Sequence, residues 1–211
     1  MLTACLLVDR EFPDLPQYLS YLLLACIASI LKIKLPKIRG TMSVNFVFIL
    51  IGVAQLTPTE TVLLGCAPAL IQSFWRARKR PTVAQALFNI ATLVTSTAIA
   101  FFISHAMEPG GSAPVRMAIA VCAFFILNTG IVSLVVSLTE GQPVRKVWRQ
   151  CYLWSFPYYL VGSAIACAIT MSSRSVGWRS SLLMLPLMYM VYSYYRLYLG
   201  QVSEAGALSK S

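Results

Sequence analysis

Charge is the scarcest commodity in this chain. Of its 211 residues only 11% are charged, against about 25% in an ordinary soluble domain. Acids are scarcest of all, with Asp plus Glu at 7 against 17 Lys plus Arg. A soluble domain of this size needs far more charge to coat its surface, so that class is excluded. The chain has a single histidine, His105. One imidazole cannot make a bis-histidine haem or an H-E-x-x-H zinc site, so no metal and no cofactor is expected. None of the six cysteines stands in a C-x-x-C. Most lie inside apolar runs, which excludes a disulfide framework and leaves buried free thiols. Leu2-Thr3-Ala4-Cys5 has the letters of a lipoprotein cleavage site. No basic and apolar stretch precedes it, so the first hydrophobic run is expected to stay as an anchor.

Apolar residues fill the space that charge leaves. They make up 58% of the chain, and the mean hydropathy is +0.72. A membrane span needs about 20 apolar residues. Seven runs qualify: Leu15–Leu31, Thr41–Leu56, Thr59–Trp75, Val83–Met107, Pro114–Leu138, Cys151–Met171 and Ser181–Leu199. The expected fold class is all-α, a polytopic transmembrane helix bundle of seven spans, with six as the alternative. Residues 1–14 precede it outside, 15–199 form the bundle, and 200–211 are a short cytoplasmic tail. The second and third runs are short and separated only by Thr57-Pro58, so a re-entrant or tightly turned pair is an open reading. Thr57, Pro58 and Glu60 spell a helix start with a capping box.

The cations give the orientation. Thirteen fall on one side: Lys32, Lys34, Lys37 and Arg39; Arg76, Arg78, Lys79 and Arg80; Arg145, Lys146 and Arg149; Arg196 and Lys210. Four fall on the other: Arg10, Arg116, Arg174 and Arg179. The positive-inside rule then places the N-terminus outside and the C-terminus in the cytoplasm. The surplus of cations is a topology signal, and nucleic acid is not expected as a partner. Trp75, Trp148, Tyr152, Trp154, Tyr192, Tyr194, Tyr195 and Tyr198 fall at the inferred inner edge, where an aromatic belt belongs. Arg76, Arg78, Lys79 and Arg80 are the densest basic cluster and the expected contact for anionic lipid or a partner.

Inside the spans, ionisable groups are nearly absent. Glu60 is explained by its capping role, and His105 lies at an outer end. A retinal Schiff base would need a buried lysine, and proton coupling a buried carboxylate. Nucleophilic catalysis needs a base beside its serine. An enzyme is therefore not expected. Neutral polar residues remain in apolar surroundings. Gln55 is one. Asn45, Gln72, Asn89, Asn128, Tyr158 and Tyr159 are the candidate ligand-binding set, grouped in the inner half of the bundle. They could bond one another across helices, or line a pocket for a small neutral or amphipathic ligand. Gly65-x-x-x-Ala69 and Gly162-x-x-x-Ala166 have the spacing that brings helices close. Pro68, Pro157 and Pro186 fall within spans and can kink them.

Several longer runs carry a resemblance. They are Lys37-Ile38-Arg39-Gly40-Thr41-Met42-Ser43-Val44-Asn45-Phe46, Trp75-Arg76-Ala77-Arg78-Lys79-Arg80-Pro81, and Ala86-Leu87-Phe88-Asn89. Further on come Trp148-Arg149-Gln150-Cys151-Tyr152, Trp154-Ser155-Phe156-Pro157-Tyr158-Tyr159-Leu160 and Tyr195-Arg196-Leu197-Tyr198-Leu199-Gly200. Together, over about Leu15 to Gly200, the chain resembles the N-terminal membrane region of bacterial signalling proteins. The soluble part of those proteins is an HD-GYP phosphohydrolase or a GGDEF cyclase of cyclic-di-GMP metabolism. The sequence has no HD pair or GGDEF run, so no catalytic residue carries over. The resemblance implies a sensory or ligand-binding module in the bacterial inner membrane. It would work with a cytoplasmic signalling partner or as a homodimer. The short early helices also look like the substrate-binding subunit of energy-coupling-factor transporters, which implies a small-molecule carrier. A structural membrane anchor for partner proteins is the third expectation.

Overall fold

The computed structural model describes residues 15–30, 32–34, 41–75, 82–106 and 112–176, with single helical positions between 186 and 198. The N-terminal segment 1–14, the basic cluster Arg76, Arg78, Lys79 and Arg80, the tail 200–211 and most of the seventh run lie outside the described residues.

The described part is a helix bundle. Its helices are α1 (Leu15–Ile30), α2 (Phe46–Gln55), α3 (Pro58–Phe74), α4 (Val83–His105), α5 (Ala113–Glu140) and α6 (Phe156–Val176). Two of them, α4 and α5, are long and apolar enough to cross a membrane. At 1.5 Å per residue, α1 is about 24 Å long, α3 about 25 Å and α2 only about 15 Å, against a hydrocarbon core of about 30 Å.

The run at Thr41–Leu56 corrects the expectation of a single span. Its first residues form strand β2 (Thr41–Ser43), which pairs antiparallel with β1 (Lys32–Lys34) in the register Lys32–Ser43, Ile33–Met42 and Lys34–Thr41. Only ten residues, Phe46–Gln55, are helical. Nothing in the sequence separates the two, because no proline or glycine falls between Thr41 and Ile51. The β-branched Thr41 favours the extended state, as its type does in strands. The half-length α2 is nevertheless the centre of the core, with every residue from Phe46 to Val53 buried.

Local chemistry sets the helix ends. The Thr57 amide and hydroxyl both donate to Glu60 Oε2 at 3.0 Å, and the Glu60 amide donates to Thr57 Oγ1 at 3.3 Å. This is the capping box expected from sequence, and it starts α3. A second one, between Thr82 and Gln85, starts α4. Gly141, at φ 64°, ends α5 in the left-handed conformation that glycine adopts without steric cost.

The expected sixth span began at Cys151, but the regular helix begins at Phe156. Before it come a single turn at Val144–Val147, a π-helical turn at Trp148–Tyr152 and a 3-10 turn at Leu153–Ser155. Pro157 is therefore the second residue of α6, where a missing N–H costs nothing. Pro68, by contrast, does lie inside α3.

Side-chain contacts fix how neighbouring helices run. Asn89 Nδ2 donates to Ser73 Oγ at 3.3 Å, and a Cβ built at Gly65 would lie 3.3 Å from Thr97 Oγ1. Both pairs require α3 and α4 to be antiparallel. Ser104 Oγ reaches the Arg116 carbonyl at 3.5 Å, which makes α4 and α5 antiparallel as well. Gly52 on α2 faces Leu64 and Thr61 on α3, so those two form a tight hairpin across Leu56-Thr57. Gly162 on α6 faces Phe46 and Val47 on α2. Both small-xxx-small segments thus sit at helix contacts, where a missing side chain lets backbones approach.

Candidate functional site

The candidate residues separate into two groups. The first surrounds the N-terminus of α2. Asn45 precedes the helix, is 4% exposed, and makes no side-chain cap. The ring of Phe46 lies 5.2 Å from Tyr158 and 4.5 Å from Tyr159, centroid to centroid. Phe125 lies 5.1 Å from both Phe156 and Tyr159. Asn128 Nδ2 donates to the Tyr159 hydroxyl at 3.3 Å. Tyr158 and Tyr159 are buried, and Asn128 is half-buried. A buried aromatic wall that includes two phenols, one of them bonded to the Asn128 amide, is thus assembled from α2, α5 and α6, and Asn45 immediately precedes its Phe46.

The second group lies between α3 and α4. Asn89 is exposed and bonds Ser73, beside half-buried Gln72. Gln72 and Asn89 therefore do not join the aromatic group, and the six candidates do not form one site. The sequence placed all of them at similar depth, but depth alone does not say which seam a side chain faces.

Sequence reasoning missed three features. Gln55 is a hub: its Oε1 accepts from Gln17 Nε2 at 2.9 Å and from the Tyr21 hydroxyl at 3.1 Å. Gln55 was visible as a polar residue in an apolar run, but its partners on α1 needed the tertiary register. Glu60 is only 2% exposed, so the cap is buried rather than superficial. Finally, the hydroxyls of Thr92, Ser96, Thr97 and Ser133 are buried and have no hydrogen-bond partner among the described residues. Thr92, Ser96, Ala100 and Ser104 share one buried face of α4. Serines and threonines in helices can rotate onto a carbonyl one turn back, so this face reads first as a close-packing seam.

The aromatic belt is corrected in part. Tyr194 and Tyr198 are exposed, as a lipid interface needs, but Tyr152 and Tyr192 are packed inward at 6% and 8% exposure. His105 stacks on Phe101 at 4.1 Å, and its Nδ1 lies 2.9 Å from the Phe101 carbonyl oxygen.

Compared with known protein families, with curated proteins and with solved structures, the chain matches none.

Proposed function

We propose that the chain is a multi-pass protein of the bacterial inner membrane. In this reading it is a sensory module whose bundle binds a small neutral or amphipathic molecule and signals through its cytoplasmic end. The supporting observation is that large apolar side chains face outward as well as filling the core, while small hydroxyls are buried. Leu15, Leu19, Leu23 and Ile27 form an exposed stripe on α1, while Leu134 and Leu138 on α5 and Leu160 on α6 also face outward. Ser29, Asn45, Thr61, Thr92, Ser96, Thr97, Thr129, Ser133 and Thr170 are buried. Lipid outside accounts for the exposed leucine stripe, which is larger than single scattered apolar residues on a water-facing surface. The small hydroxyls inside bond back to their own helix, as Ser29, Thr61, Thr129 and Thr170 do, or sit at close helix seams.

The 13-to-4 division of cations supports an odd number of crossings, N-terminus out and C-terminus in, whether or not the short α2–α3 pair crosses. The likeness to membrane regions of cyclic-di-GMP signalling proteins supports a cytoplasmic signalling partner or a second copy of the chain. The ligand's place is the aromatic wall at Phe46, Tyr158 and Tyr159, with the Asn128 amide as its polar contact. A carrier, or the binding subunit of one, is the second reading. The half-length, buried α2 favours it, because interrupted helices at mid-membrane line many transporter sites.

Native mass spectrometry of the protein purified in mild detergent tests the proposal. A small molecule retained by the wild type and lost from Asn128→Leu is expected. Identical small-molecule content in both would remove the site. Solute uptake by the chain in proteoliposomes would replace the sensor with the carrier.

A further inference from the structure

The segment joining α5 to α6 reads as a basic loop in sequence, but it is a folded elbow. Helix α5 has 28 residues, about 42 Å, which exceeds a hydrocarbon core of about 30 Å. At ordinary tilts its terminal turns stand among headgroups. After Gly141 the chain runs back along them. Val147 and Tyr152, each 6% exposed, pack on Val132 and Val136. The Trp148 indole donates to Thr129 Oγ1 at 2.9 Å, and that hydroxyl donates to the Phe125 carbonyl.

With Val147, Trp148 and Tyr152 held against α5, the remaining positions turn outward. Arg145, Lys146 and Arg149 are all exposed. Lys146 Nζ is held by Gln142 Oε1 at 3.0 Å. Arg145 and Arg149, four residues apart, share one helical face. Among the described residues neither has an ion pair or a hydrogen-bonded side-chain partner. From Gly141 to Ser155 there is no acid, and the nearest is Glu140. At the end of α5 and along the elbow, Leu138, Val144 and Leu153 are exposed at 76%, 40% and 43%.

We propose that this elbow is a docking site for an anionic phospholipid. Arg145 and Arg149 grip its phosphate, and Leu138, Val144 and Leu153 lie along its acyl chains. The proposal rests on the membrane reading above. The guanidinium fork matches phosphate oxygens two at a time. The exposed aliphatic flank is what singles out a lipid, because a free anion would leave it in contact with water.

The test gives the full-length protein, in a neutral detergent, defined mixtures of phosphatidylglycerol and phosphatidylcholine and counts bound lipids by native mass spectrometry. The wild type should retain phosphatidylglycerol preferentially. R145Q/R149Q should lose that preference by about thirty-fold, about five-fold per cation, while R145K/R149K, which keeps the charge but not the fork, should lose part of it. Undiminished preference in R145Q/R149Q overturns the proposal. So does an equal loss from R116Q/R179Q, which removes two cations assigned to the other side of the membrane and would show an effect of net charge alone, or displacement of the lipid by millimolar inorganic phosphate. Failure of the membrane reading is separately visible: the chain would then be released from membranes by alkaline carbonate without detergent.

Discussion

Gly162→Ala is expected to destabilise the bundle by about 3 kcal/mol, lowering its melting temperature in detergent by roughly 6–12 °C. A Cβ at that position would lie 2.2 Å from Phe46 Cζ, 2.5 Å from Cε2 and 3.1 Å from Val47 Cγ2. A ring tip can often swing aside, but this one cannot. Phe46 is 3% exposed and wedged against Tyr158 and Tyr159. The strain must pass into the backbone contact between α2 and α6. Gly130→Ala is the control, because nothing lies within 4 Å of its Cβ position. Relief from the helix cost of glycine makes that change neutral or stabilising by up to about 1 kcal/mol. Thermal unfolding followed by size-exclusion chromatography separates the two. Equal melting points for both variants would mean that α2 and α6 do not meet as described.

The second large effect is at the other partner of the same contact. Phe46→Ala should cost about 3–5 kcal/mol, the range for emptying a close-packed aromatic site. The ring fills the space between α2 and α6 and touches both tyrosines of the candidate site. Without it, the half-length α2 loses its anchor to the wall. The two substitutions should couple strongly. In the Phe46→Ala background the alanine at 162 has room, so it should add little further loss. Simple additivity, measured by the same melting curves, would show that residues 46 and 162 do not share a contact.

Much of the bundle was legible because lipid-length apolar runs are the strongest signal a sequence carries. Leu15–Ile30, Pro58–Phe74, Val83–His105 and Ala113–Glu140 fall within a few residues of the expected runs. The Thr57–Glu60 box and the two small-xxx-small segments were readable because each needs only a fixed spacing. The Thr82–Gln85 box was equally local; Thr-x-x-Gln just after Pro81 was its signal. The ribbon at Lys32–Lys34 and Thr41–Ser43 was hidden because strands of three residues leave too short a pattern to rise above their apolar neighbours. The elbow at Trp148–Ser155 was hidden because three cations resemble a solvated loop, and only packing of Val147 and Tyr152 on α5 folds it.

The candidate site was legible as a list and not as an arrangement. Neutral polar residues in apolar runs are easy to find. Asn128 with Tyr159, and Asn89 with Ser73, are pairings between helices, and they depend on rotations about helix axes that no single segment encodes.

In the proposed reading α4 and α5 form a hairpin through a membrane, with basic loops on the cytoplasmic side. Paired topology reporters in a bacterial host test it most directly. An alkaline phosphatase fused after Gly111, between α4 and α5, should be active, and one fused after Gly141, beyond α5, inactive. Green fluorescent protein at the same two points should give the opposite result. The same reporter response at both points, or the reverse order, would contradict the account.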